Sequence, residues 1–232
     1  MKAMAGLTEG KIKTQLVRHL RETGATRGAR VISELCVAGF SRRADVVLVN
    51  GKLSAFEIKG EFDNLDRLAG QLETFSQYFE SLTVVCSCRH TEKVLATAPC
   101  SVGVWEVNAG KISVKRSAVV TQNVVRDVWL SYLPVRVLKP FLAEQSIRSN
   151  GLHRSQLLEA AREIEVSVIR QAALDYLKGR GQAPSGFKVQ TIKAGRVDPV
   201  RLNDIRAQEY LSLMCITGEM VRAVPRRVTN ST

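Results

Sequence analysis

The sequence predicts an α/β fold: a central mixed sheet flanked by helices, followed by a C-terminal helical region. Three observations carry this reading. Up to Ser117, short aliphatic runs alternate with amphipathic helical stretches. Within that part, Asn50-Gly51 stands between two apolar runs, which is a strong short-range hairpin signal. After Ser117 the strand signals stop and helical periodicity takes over.

Thr8–Thr23 reads as the first helix, with Thr8 as N-cap and Ile12, Leu16 and Leu20 on one face. Gly24–Arg30 is a small basic connector, and Val31–Val37 reads as a strand ending in a turn at Gly39-Phe40-Ser41. The hairpin Arg43–Lys59 follows. Asp63 is expected to cap a helix running to about Ser81, with Asp66 in a capping-box position and Leu65, Leu68, Leu72, Phe75 and Phe79 as its apolar stripe. Leu82–Cys86 reads as a strand and His90–Ala96 as a short helix. Ser101–Val107 and Lys111–Val114 form a second hairpin across Asn108-Ala109-Gly110. The later helices are expected at Val124–Leu133, Val135–Ser146, Ser155–Arg162, Ser167–Lys178 and Pro199–Ile216. Gly179–Gly195 reads as a loop, and Val221–Thr232 as a basic, frayed tail. A boundary near residue 120 separates a core, 1–120, from a basic helical region, 121–232.

The hairpin Arg43–Lys59 organises the rest. Val46–Val49 are uniformly aliphatic and suit a buried strand, yet Asp45, Glu57 and Lys59 are charged. Charges inside buried strands are paired or hold a metal. Alternation puts Glu57 and Lys59 on one face of their strand. A three-residue loop, Asn50-Gly51-Lys52 with a left-handed glycine, sets Val49 opposite Leu53 and Asp45 opposite Glu57. A two-residue loop would instead pair Asp45 with Phe56 and turn Glu57 to the other face. The longer loop gathers two carboxylates and an ammonium at one spot. Such carboxylates can hold a hard divalent cation such as Mg²⁺, and the lysine can orient or activate water beside it.

Asp45, a hairpin, then Glu57-x-Lys59 resembles the PD-(D/E)XK nuclease superfamily, with Ala44 where proline is frequent. Gln71-x-x-x-Phe75 on the next helix is similar to the Gln-x-x-x-Tyr element of its RecB-like branch, with Phe75 in the tyrosine position. Glu34 resembles the additional acidic residue that many members bring to the metal site. The resemblance covers Thr8 to Ser87 and points to small bacterial and phage nucleases. It implies Mg²⁺ or Mn²⁺ held by Asp45, Glu57 and the Ile58 carbonyl, with Lys59 acting on the attacking water and Glu34 and Gln71 in support. It also implies DNA as substrate. Arg43 and Arg67 are the candidate contacts to nucleic acid; Arg67 also reads as part of a polar outer face. Glu9 is the competing acid for the role of Glu34, although a glutamate in a first helical turn is what the helix dipole favours in any case.

Composition agrees with that class of partner. The 232 residues carry a formal net charge of +12, spread along the chain, which suits an anionic partner such as nucleic acid. No apolar run approaches the roughly 20 residues needed to span a bilayer, and the first residues lack the apolar centre of a signal peptide. A cytoplasmic location is expected. Five cysteines, an odd number, argue against a disulfide framework. Cys86, Cys88, His90 and Cys100 lack zinc-site spacing and read as reduced thiols beside an unrelated histidine. Ser155–Arg180 could be a helix-turn-helix, but no glycine marks a turn, and an ordinary helical pair is the simpler reading. The alternative to a nuclease is a protein that binds nucleic acid or another partner on the same fold without cutting.

Overall fold

Six strands form one sheet in the order β1-β2-β3-β4-β5-β6. The computed structural model describes residues 6–122 and 124–179. The strands are β1 Arg30–Val37, β2 Arg42–Val49, β3 Leu53–Lys59, β4 Ser81–Ser87, β5 Gly103–Asn108 and β6 Lys111–Arg116. β2 is antiparallel to both of its neighbours, β1 and β3, while β3, β4 and β5 are parallel, and β6 returns antiparallel to β5. The parallel steps need crossovers. These are α2, Leu68–Tyr78, and α3, Thr91–Thr97, the latter entered through a 3₁₀ turn at Cys88–His90. The expected mixed α/β architecture with a central sheet and flanking helices is present.

Each face of the sheet has its own core. On one side lies α1, Glu9–Glu22, whose Ile12, Leu16 and Leu20 meet Val46, Leu48, Phe56, Ile58, Val85 and Val107. The apolar spacing of α1 is the reason it forms and the reason it docks. Thr8 has the extended backbone of an N-cap, but its hydroxyl makes no capping bond. On the other side, α2 and α3 pack with α4 Arg126–Ser131, α5 Val135–Glu144, α6 Arg154–Ala160 and α7 Val166–Leu177. Residues before and after position 120 share this second cluster, so the described part of the C-terminal helical region shares one core with the sheet and α2. α7 packs chiefly on α4, and α6 on α5. Among the described residues no helix is long and apolar enough to cross a membrane.

The expectation for the start of α2 is corrected. The helix begins at Leu68 with Arg67 at the N-cap position, not at Asp63. Asp63 instead accepts the Gly60 N–H at 2.6 Å, and its own N–H donates to the Gly60 carbonyl, so neither group remains for a capping box. At the far end, α2 stops at Tyr78 rather than near Ser81, because the Glu80 N–H donates to the Leu53 carbonyl at 2.9 Å and draws the chain into the sheet. The expected helix Pro199–Ile216, most of the loop 179–195 and the tail from Val221 fall outside the described residues.

One polar clamp ties α7 to the sheet. Glu80 is buried, and its Oε2 accepts the Leu53 N–H at 2.8 Å. Arg170 on α7 donates to both carboxylate oxygens, at 2.8 and 3.2 Å, and to the Gly51 carbonyl at 2.7 Å. Its guanidinium also lies 5.8 Å from the ring centroid of buried Trp129. Removing one partner of such a pair leaves an uncompensated charge inside. Arg170→Ala should therefore lower the unfolding free energy by about 2–4 kcal/mol in urea titrations, whereas a neutral effect would show that Glu80 finds water instead.

Candidate functional site

β2 and β3 pair only from Val46↔Phe56 to Val49↔Leu53. Beyond that, β2 continues to Arg42 alongside β1, and β3 continues to Lys59 alongside β4. The two strands fork. The three-residue loop is as expected, with Gly51 at φ 95°, and its register makes Asp45 and Glu57 the first residues past the fork, one on each arm. Asp45 bridges the gap: its Oδ2 accepts the Ile58 N–H at 2.7 Å, where a strand carbonyl would otherwise stand.

A change of phase accompanies the fork. Ala44 and Val47 both belong to the α2-side core, although they are three residues apart, and the same holds for Ile32 and Leu35 on β1. Glu34, opposite Asp45 in the β1–β2 register, has φ 62°, a left-handed conformation that is uncommon outside glycine. Two strands thus slip at the same level.

The Glu57 side chain is 2% exposed. Its Oε1 accepts the Lys59 ammonium at 2.8 Å, and Lys59 also donates to Gln71 Oε1 on α2 at 3.0 Å. Glu57 Oε2 is buried with no hydrogen-bond partner. Burial and the neighbouring Glu57 carboxylate push the Asp45 pKa up to about 7, against the pull of the Ile58 N–H. Burial raises that of Glu57 as well, with Lys59 opposing. Two desolvated, mutually repelling carboxylates, with one ammonium bonded to Glu57, are short of positive charge. An oxygen-seeking divalent cation suits such a set, and the orphaned Glu57 Oε2 offers it a lone pair.

Glu34 lies beside this group but is otherwise engaged. Lys13 of α1 pairs with its Oε1 and Arg43 with its Oε2, the latter at 2.6 Å. Arg43 is thus held by Glu34 and half exposed. Arg67 is exposed one turn before Gln71, whose N–H donates to the Arg67 carbonyl. Ile58 gives its N–H to Asp45 and its side chain to the α1 core. Phe75 is fully buried against Phe79, a core residue. Among the described residues, no grouping able to hold a metal includes Cys86, Cys88, His90 or Cys100; burial pushes the Cys86 thiol up to about 11.

Glu9 comes closer than its helical position suggested. Glu9, Glu34 and Asp45 each present a carboxylate oxygen, all within 4.8 Å of one another. Gly60 explains how. A Cβ there would stand 2.8 Å from the Glu9 nitrogen, so only glycine lets the start of α1 cross the end of β3. Glu61 then fastens the crossing, donating its N–H to the Leu7 carbonyl and accepting the Leu7 N–H.

The raised carboxylate pKa values have a sign that can be tested. Asp45 binds its proton more tightly in the folded chain than in the unfolded one. Its contribution is fully present below the ordinary carboxylate range near 4 and is lost as pH rises through about 7. In EDTA, the melting temperature should fall between pH 5 and pH 8. Asp45→Asn should flatten that fall and stabilise the protein at pH 8 by on the order of 1–3 kcal/mol. Parallel melting curves for the two proteins would contradict the buried, mutually repelling pair.

Residues 2–206 match the family described as Bacteriophage P4 protein cII. Protein cII of Enterobacteria phage P4 is 36% identical over 204 residues, which span 86% of this chain and 76% of that protein. Among solved structures, a protein of unknown function from Silicibacter pomeroyi is similar at 15% identity with a TM-score of 0.39, covering 79% of this chain and 98% of its own. On the extent of the first match and the identity of the second, the chain belongs to the bacteriophage P4 protein cII family.

Proposed function

We propose that this protein is a metal-dependent nuclease of the PD-(D/E)XK type that hydrolyses phosphodiester bonds in DNA. The observation that carries the reading is the unpartnered, buried Glu57 Oε2 on the arm of the strand fork opposite that of Asp45, with Lys59 fixed beside it. Asp45, Glu57 and the Ile58 carbonyl would hold Mg²⁺ or Mn²⁺. When bound, the cation would polarise the phosphate and offset the charge that builds on it. Glu9 is a further oxygen donor within reach of Asp45.

The chain's own groups account for the remaining requirements. An ammonium has three N–H donors. Lys59 gives two to Glu57 and Gln71, which leaves one for the attacking water or a phosphate oxygen. Gln71 therefore positions Lys59 rather than touching the metal. The Glu34 carboxylate holds Lys13 and Arg43 at the rim of the fork, where their charges favour a phosphate backbone. Arg67, exposed at the start of α2, extends that basic rim.

Plasmid and single-stranded DNA incubated with Mg²⁺ or Mn²⁺ should be cut, and EDTA should stop the reaction. Lys59→Ala should lower the rate by at least 10²-fold while still giving a calorimetric heat with Mn²⁺; Asp45→Ala should lose both. Full cleavage in EDTA, or wild-type rates from Lys59→Ala, would refute the assignment. DNA binding with no cutting under any metal would leave the fold as a binding module.

A further inference from the structure

The segment that follows Lys59 carries an aromatic ring out into solvent. Phe62 is 72% exposed, above every other large apolar side chain among the described residues. Lone exposed hydrophobic residues are common and need no explanation. The mounting of this one is what sets it apart. Gly60 donates its N–H to Asp63 at 2.6 Å, and Asp63 returns an N–H to the Gly60 carbonyl. Glu61 is tied to Leu7 by both its N–H and its carboxylate, and the Arg89 guanidinium donates to its carbonyl at 3.2 Å. Residues on both sides of Phe62 are fastened while its own side chain is left outside.

The ring also has a seat. A Cβ on Gly6 would stand 2.3 Å from Phe62 Cζ, so the ring lies against the glycine, and no other residue type could pass there without displacing it. One part of the ring is backed by protein and the rest is open. Two residues, Gly60 and Glu61, separate it from Lys59, so its Cα lies within about 11 Å of the Lys59 Cα. Arg89, bound to the same loop, and Arg67, at the loop's end, supply positive charge nearby.

We propose that Phe62 is a stacking platform for an unpaired nucleobase next to the phosphate served by the Asp45–Glu57–Lys59 site. This rests on the nuclease reading and narrows it. A base inside a duplex has both faces covered by its neighbours, so only a single strand, a flap or a frayed end can offer one to the ring. The open ring supplies the base contact and the arginines supply the backbone contact, the combination that single-strand binding uses. The preferred substrate is therefore DNA with unpaired nucleotides at the point of cutting.

The test compares a labelled single-stranded oligothymidine with a labelled, covalently closed, relaxed double-stranded minicircle, which has neither ends nor unpaired loops. Binding to the full-length protein is read by fluorescence anisotropy in EDTA, so that nothing is cut. Phe62→Ala should lower the single-strand to duplex affinity ratio about tenfold, in keeping with the loss of one stacked base. Phe62→Tyr should keep the ratio. In Phe62→Trp, tryptophan emission should be quenched by the single strand and not by the closed duplex. An unchanged ratio in Phe62→Ala, or a Phe62→Tyr that behaves like it, overturns the platform. If wild-type protein nevertheless cuts DNA with Mg²⁺ or Mn²⁺, the nuclease reading stands and the platform alone falls. If wild-type protein neither binds either probe nor cuts DNA with Mg²⁺ or Mn²⁺, both fall.

Discussion

Two mutually repelling carboxylates, Glu57 buried and Asp45 partly buried, govern this structure. Asp45 and Glu57 repel each other, and burial makes each of them costly to ionise. The surroundings answer that cost piece by piece. The Ile58 N–H is turned to Asp45, Lys59 is turned to Glu57, and Gln71 keeps Lys59 from swinging away. The strands must separate at this level, because a continuous ladder between β2 and β3 would give the Ile58 N–H to a strand carbonyl and leave Asp45 nothing to bind. The fork answers that local demand, and the phase slip of β1 and β2 and the left-handed Glu34 lie at the same level of the sheet.

Much of this was legible from the amino acids. Aliphatic runs and the Asn50-Gly51 signal placed β2 and β3 with the right loop, because a glycine able to take φ 95° permits the three-residue connection and the register then follows by alternation. The apolar stripe Ile12, Leu16, Leu20 named the buried face of α1, since helical periodicity depends only on spacing. Asp45, Glu57 and Lys59 were gathered by strand alternation across the hairpin, whereas Gln71 was singled out only by the resemblance of Gln71-x-x-x-Phe75 to the RecB-like nucleases.

What stayed hidden depends on contacts between segments distant in sequence. The approach of Glu9 requires a glycine far along the chain, at Gly60, and no periodicity links the two. Asp63 carries every local mark of an N-cap, but the loop it belongs to is fastened to the N-terminal segment, and its carboxylate serves the Gly60 N–H instead. The engagement of Glu34 by Lys13 and Arg43 likewise joins α1, β1 and β2. One trace of the slip was present in the sequence: Ile32 and Leu35 are three apart in a strand, which breaks strict alternation and marks an irregularity between them.

The Glu80–Arg170 clamp also sets an order of events during synthesis. Its two partners are separated by 90 residues. Glu80 lies in the first crossover of the parallel sheet, so it must be desolvated as β3 and β4 come together. The guanidinium that neutralises it is translated long afterwards. Until then a nascent sheet holds a buried carboxylate with only the Leu53 N–H to bind, and the loop that must close is long. The emerging chain gains little from completing the sheet early. Final consolidation is deferred to the arrival of α7, and until then the part of the helical layer that α7 covers, chiefly α4, stays exposed, a condition in which chaperones recognise clients.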